Sequence, residues 1–327
     1  MPIISVTSLW KQFRIPKARR GFFSTVASLF SREYETKMAL DHISFEVQEG
    51  ELLGYIGPNG AGKSTTVKIL SGILTPDGGE VSVMGKTPWK DRLETVRQIG
   101  VVFGQRTQLW WDLPVIESFD LLKHIYRIAE QDYKNSLDSL VETLQLSSLL
   151  TVPVRNLSLG QRMRCDIAAS LLHSPKILFL DEPTIGLDAV SKLAVRDFIR
   201  QMNKAHKTTI LLTTHDMDDI EALCSRVLVL HQGSLFLDGS LNKLRESISP
   251  ERRLIIDLVN EKETVDDPLA MLIKKEGPRH WLSFDPTKES APELISRLAA
   301  RYAIRDLYVE NPPIEEIIAH FYRNAHI

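Results

Sequence analysis

The stretch "LLGYIGPNGAGKST", Leu52–Thr65, limits the folds open to this chain more than any other. Upstream of it, "LDHISFEV" alternates apolar and polar residues and leads to a turn around Gly50, as a strand with one exposed face does. The run then becomes continuously apolar, which predicts a strand covered on both faces. Two more short apolar runs, in "KILFLDEP" and "TTILLTTHD", end in acidic or histidine residues, and the segments between them are long enough for helices. Strands and helices alternating in this way imply an α/β fold with a parallel sheet, whose ligands gather at the carboxyl ends of the strands.

The loop after the first buried strand has the spacing of a phosphate loop: Gly57, then Gly62, Lys63 and Ser64, before a predicted helix. Glycines let backbone N–H groups wrap phosphate oxygens, and the helix N-terminus adds a favourable dipole. Lys63 supplies a cation to the β- and γ-phosphates, and Ser64 a hydroxyl ligand for Mg²⁺. In "ILFLDEPT", Asp181 ends a strand where it can hold Mg²⁺ through its water shell, and Glu182 can orient or deprotonate an attacking water. Adjacent residues point in different directions, so the two carboxylates can take different tasks. His215 ends the strand in "LLTTHD". Alone it reads as an ordinary surface or core histidine; beside the Asp181 strand its imidazole could reach a γ-phosphate.

The 327 residues, 43% hydrophobic and 25% charged, suffice for one large domain and a small one. Residues 1–240 read as the main domain, with a largely helical lobe at about 106–173 inserted between strands. A hairpin with its turn at Gly233 closes it. Residues 241–327 read as a small α+β domain, with strands in "RRLIIDLV" and "HWLSFD", a helix in "APELISRLAARY", and a last strand and helix in "RDLYVENPPIEEIIAHFY". Cys165 and Cys224 are the only cysteines, without metal-ligand spacing, which suits a reducing compartment. The net charge of −2 gives no general attraction to nucleic acid. The N-terminus does not read as a signal peptide, and no window supplies the ~20 apolar residues that span a bilayer. A membrane role is therefore expected to be peripheral.

"GPNGAGKST", "LSLGQ", "LFLDEP", "GLD" and "TTHD" follow one another in the order of the ATP-binding-cassette (ABC) family and resemble its Walker A, signature, Walker B, D-loop and H-loop. The resemblance covers roughly residues 1–240. It implies a RecA-like P-loop ATPase core with an antiparallel β-subdomain and a helical subdomain, and it implies ATP and Mg²⁺ as ligands. Gly57, Pro58, Asn59, Gly60, Ala61, Gly62, Lys63, Ser64 and Thr65 would hold the nucleotide, and Phe13 falls where the family places an adenine-stacking aromatic. Gln105 resembles the Q-loop residue that touches Mg²⁺ and the membrane partner; with Glu182 and His215 it completes the catalytic set, and with Ser64 and Asp181 the metal set. Two cassettes of the family dimerise head to tail. Ser158, Gly160 and Gln161 would then serve the nucleotide held by the partner cassette, which explains a second phosphate-reading turn about a hundred residues downstream of the first, and Asp188 of the D-loop would add to the nucleotide-binding set. Leu159 departs from the commoner LSGGQ pattern, while Ser158 and Gly160 are kept.

The stretch "FGQRTQLWWDLPV", the "LSLGQRMR" turn and the tail "VENPPIEEIIAHFY" resemble the exporter branch that moves drugs, lipids or polysaccharides. The resemblance implies an ATPase subunit on the cytoplasmic face of the membrane, partnered by integral-membrane permease subunits and a second cassette. An importer subunit with a C-terminal regulatory domain and a soluble, non-transport cassette ATPase are the alternatives. Of Trp110 and Trp111, core packing is expected to claim at least half, since neighbours in regular structure cannot both face a partner. Residues 14–38 read as an insertion, with a basic run before an apolar face of Phe22, Phe23, Val26, Leu29 and Phe30. That face could cover the cassette itself, the permease or an anionic membrane surface.

Overall fold

The computed structural model describes residues 2–16, 34–104, 106–241, 243 and 251–311. The apolar face read at residues 22–30, Gln105 and the last predicted helix lie outside them. The chain divides into two compact units, Met1–Gly239 and Ser240–Ile327.

The first unit is built on a six-stranded sheet. In chain order its strands are β3 (Leu52–Ile56), β5 (Ile99–Phe103), β6 (Ile177–Asp181), β7 (Thr209–Thr214), β8 (Arg226–His231) and β9 (Ser234–Ser240), arranged β5-β6-β7-β3-β8-β9. The pairs β5/β6, β6/β7, β3/β7 and β3/β8 are parallel. Ile177, Leu178, Phe179 and Leu180 are fully buried, as the unbroken apolar run required. Register across the middle of the sheet aligns Phe103, Asp181, Thr213 and Tyr55 in one row. The residues that follow these strands therefore emerge along one edge.

A second sheet, ordered β2-β1-β4, comprises β1 (Ile4–Pro16), β2 (Tyr34–Val47) and β4 (Gly78–Val83), with β1 antiparallel to both neighbours. Ile4, Leu9, Leu40 and Val47 share a core with Tyr55, Phe179 and Leu228 of the large sheet. Both ends of the segment read as an insertion continue this ladder: Arg14 pairs with Thr36 and Pro16 with Tyr34.

The helices of this unit are α1 (Lys63–Leu70), α2 (Arg92–Val96), α3 (Val115–Tyr126), α4 (Glu130–Thr143), α5 (Leu159–Leu171), α6 (Ala189–His206) and α7 (Met217–Leu223). The lobe between β5 and β6 carries α3, α4 and α5. The helical pattern in "DLLKHIYRIAE" breaks at Arg127, whose left-handed φ of 55° caps α3 before α4 begins.

In the second unit the sheet order is β11-β12-β10-β13, from β10 (Arg252–Leu258), β11 (Ala270–Glu276), β12 (Arg279–Phe284) and β13 (Ile304–Glu310). Helix α8 (Ala291–Arg301) buries Leu294 and Leu298 against Leu254, Ile256, Leu282 and Phe284. It begins at a capping box in which Ser290 and Glu293 satisfy each other's backbone N–H groups.

Candidate functional site

The residues that carry the chemistry stand along the carboxyl edge of the large sheet. The loop after β3 turns into α1 at Gly62, whose φ of 111° is closed to other residues; a methyl group there would also lie 2.5 Å from the Ala39 carbonyl oxygen. The first N–H groups of α1 have no partner inside the helix and face outward. Lys63 is buried beneath the loop, donating from Nζ to the carbonyl oxygens of Gly57 at 2.7 Å and Pro58 at 3.2 Å. Burial pulls its pKa below the ordinary lysine value, while the nearby Glu182 and Asp181 favour its charged form.

After β6, Asp181 accepts from the Thr213 hydroxyl at 2.5 Å, an outcome of the β6/β7 register. Glu182 takes a left-handed φ of 56°, unusual away from glycine, and its N–H donates to the Thr213 carbonyl at 2.9 Å. This bend aims its carboxylate at His215, whose Nδ1 lies 3.2 Å from Oε1. Gly104 makes the bend possible: any Cβ there would fall 2.0 Å from the Glu182 carbonyl oxygen.

Asn59, Ser64, Asp181, Glu182 and His215 line one cleft of about 630 Å³, with Lys68 and Arg106 on its walls. Gly104, Lys68 and Arg106 are additions to the residues read from the sequence. The glycine before Gln105 was their only sequence signal, because their proximity depends on β5 lying next to β6.

Phe13, Ser158, Gly160, Gln161 and Asp188 do not line this cleft. Phe13 stands on β1, half-exposed, with the Lys11 ammonium 5.7 Å from its ring centre. Ser158 caps α5 in a capping box: its Oγ accepts from the Gln161 N–H at 3.2 Å, and Gln161 Oε1 accepts from the Ser158 N–H at 2.9 Å. Asp188 caps α6 by accepting from the N–H and hydroxyl of Ser191. These two helix starts touch, since a Cβ on Gly160 would meet Ser191 Oγ at 2.6 Å.

The expectation that core packing claims half of the tryptophan pair does not hold. Trp110 is 39% and Trp111 49% exposed. They stand in an irregular turn, where the alternation of regular structure does not apply, and Trp111 lies against the Arg162 guanidinium, 5.6 Å from its ring centre.

A phosphate loop between a parallel strand and a helix, with two carboxylates and a histidine on the neighbouring strand ends, defines a P-loop nucleotide-binding protein. The ABC transporter family model matches residues 40–185. The daunorubicin resistance ATP-binding protein DrrA3 of Streptomyces coeruleorubidus is 31% identical over 297 residues, covering 88% of this chain and 92% of that protein. The Nod factor export ATP-binding protein I of Neorhizobium galegae is 38% identical over 216 residues, covering 66% of this chain and 61% of that protein. A solved ATP-binding subunit of an ABC transporter aligns with a TM-score of 0.62 at 26% identity, over 75% of this chain and 92% of that one. The chain belongs to the ATP-binding subunits of ABC transporters, which use ATP to power transport. Subunits of this family dimerise and work with membrane permease components. Among the described residues, no helix is long and apolar enough to cross a membrane.

Proposed function

We propose that this chain hydrolyses ATP to drive export, working at the cytoplasmic face of the membrane with separate permease subunits and a second cassette. The observation that carries the chemistry is the single cleft shared by Ser64, Asp181, Glu182 and His215 above the buried Lys63. Daunorubicin resistance and Nod factor export, the roles of the two relatives, support the direction of transport.

Backbone N–H groups of the loop from Asn59 to Thr65 and the Lys63 ammonium bind the phosphates, and Phe13 stacks on the base. The donor set fits a hard divalent cation. Ser64 and Asp181 offer oxygens to one cleft, and among the described residues no cluster of three or more His, Cys, Asp or Glu side chains builds a cage. Mg²⁺ suits such a site, because it keeps waters and takes its remaining oxygens from substrate phosphates. Ser64 and Asp181, with Gln105, would hold it, and it would neutralise charge on the phosphate oxygens.

Glu182 accepts a proton from the water that attacks the γ-phosphorus, while the bond to the β–γ bridging oxygen breaks to leave ADP and phosphate. His215 holds the Glu182 carboxylate in its rotamer through the 3.2 Å contact. Ser158, Gly160, Gln161 and Asp188, at the touching starts of α5 and α6, serve the partner's nucleotide.

Replacing Glu182 by Gln tests the reading. In the assembled complex, ATP binding is expected to persist while phosphate release falls by roughly two to four orders of magnitude, the range for loss of a general base. Turnover at the wild-type rate would remove Glu182 from the reaction.

A further inference from the structure

Two acidic residues follow His215 closely, and neither enters the reaction as described. Asp216 and Asp219 stand at the start of α7, and Asp219 is buried to 0% exposure. Arg196 and Lys192, one turn apart on α6, reach across to them. Arg196 Nε donates to Asp219 Oδ1 at 2.5 Å, its Nη2 lies 3.5 Å from Asp216 Oδ1, and Lys192 Nζ reaches Asp216 Oδ2 at 2.5 Å. The second oxygen of Asp219 accepts from the hydroxyl of Thr184, itself 2% exposed and two residues beyond Glu182.

One buried carboxylate is thus gripped from both sides, by the turn that carries Glu182 and by the helix flanking it. It is rooted on the short segment that carries His215. A buried ion pair is a costly device unless every lone pair is used, and here both oxygens of Asp219 are. Glu182 also holds a left-handed backbone conformation, which persists only where its surroundings over-determine it.

We propose that Thr184, Asp219 and Arg196 are positioning residues that fix the Glu182 turn against the His215 segment and so set the spacing of that pair. This rests on the reading of Glu182 as the base. A loss of contact at Thr184 leaves the phosphate loop untouched and lets the Glu182 turn shift; a misplacement of about 1 Å at a reacting group costs on the order of a hundredfold in rate.

The test uses the intact complex and five variants. Thr184→Val keeps shape and removes the hydroxyl, and Thr184→Ser restores it. Thr184→Val is expected to lower kcat about ten- to a hundredfold, with ATP affinity within about twofold, and Thr184→Ser to recover most of the rate. Arg196→Lys, which keeps a cation but loses the fork spanning Asp216 and Asp219, is expected to lower kcat with affinity kept, and it stands in if the valine variant folds poorly. Combining Thr184→Val with Glu182→Gln is expected to cost no more than Glu182→Gln alone, because both act through one group. Wild-type kcat in Thr184→Val and Arg196→Lys, equal loss in Thr184→Val and Thr184→Ser, or a full additional drop in the Glu182→Gln background would each overturn the proposal. Persistent turnover in Glu182→Gln alone would instead remove the base itself, a separate failure.

Discussion

Leu159 and Gly186 close the gap between the α5 turn and the start of α6: a methyl group added to Gly186 would lie 2.9 Å from Leu159 Cδ2. Gly186 also has a φ of 70°, which is the stronger reason it is a glycine, since the end of the Leu159 side chain can shift. Gly186→Ala is expected to destabilise the protein by roughly 1–2 kcal/mol, from left-handed strain and the clash. Adding Leu159→Ala relieves the clash alone. A double-mutant cycle in urea should show a favourable coupling of about 0.5 kcal/mol or more; strict additivity would mean that the two residues do not press on each other.

Ser158 is exposed, and its hydroxyl oxygen already accepts from the Gln161 N–H. Ser158→Arg removes this cap and places a bulky cation where a partner cassette's nucleotide is proposed to dock. Each monomer is expected to bind ATP with wild-type affinity, because Ser158 lines no part of its own cleft. ATP-dependent dimerisation, read by size-exclusion chromatography, and phosphate release should both be lost. Weakened nucleotide binding in isolated monomers would assign Ser158 to its own site.

Asp166 carries a buried carboxyl on α5 whose Oδ1 accepts from the Thr107 hydroxyl at 2.8 Å and the Gln108 N–H at 3.0 Å. Burial pushes its pKa up to about 6, against the opposing pull of those two donors. The folded chain therefore holds this proton more tightly than the unfolded chain. Stability falls as pH rises from about 4 through 6, and the loss is complete above that window. Asp166→Asn keeps the accepting oxygen and removes the titration. The stability of the wild type minus that of Asp166→Asn should decline by roughly 2 kcal/mol between pH 4 and 7, measured by urea denaturation at each pH. A flat difference would show that the carboxyl is solvated.

How much of this was legible depended on distance along the chain. The loop at 57–65, the cap at Ser158 and the strand ends at Asp181 and His215 are local patterns, because each couples a turn or strand end to one chemical group within a few residues. Strand order is not local. Nothing in "FGQR" shows that Gly104 lies under the Glu182 carbonyl, or that Arg106 and Lys68 share a cleft, until β5 is placed beside β6. The Arg196–Asp219–Thr184 cluster was hidden for the same reason. Strand β11, "AMLIKKE", gave no alternating signal because it is an edge strand with Met271 and the half-buried Leu272 on opposite faces and mostly polar residues after Ile273. The tryptophan pair was misread by applying the rules of regular structure to a turn.

The row formed by Phe103, Asp181, Thr213 and Tyr55 also sets where this chain tolerates changes in length. One residue lost within Ile177–Asp181 would carry Glu182 into the place of Asp181, about 3.3 Å along the strand and on the opposite face, and one gained would carry Asp181 into the place of Glu182. Either way one carboxylate would take up the surroundings built for the other. The same holds for Thr209–Thr214 and His215. Between β5 and β6, by contrast, a whole lobe of three helices is spliced in without disturbing the pairing of Phe103 with Asp181. Insertions and deletions in relatives should therefore be frequent in the loops of that lobe and absent from the five- and six-residue strands that hold the edge.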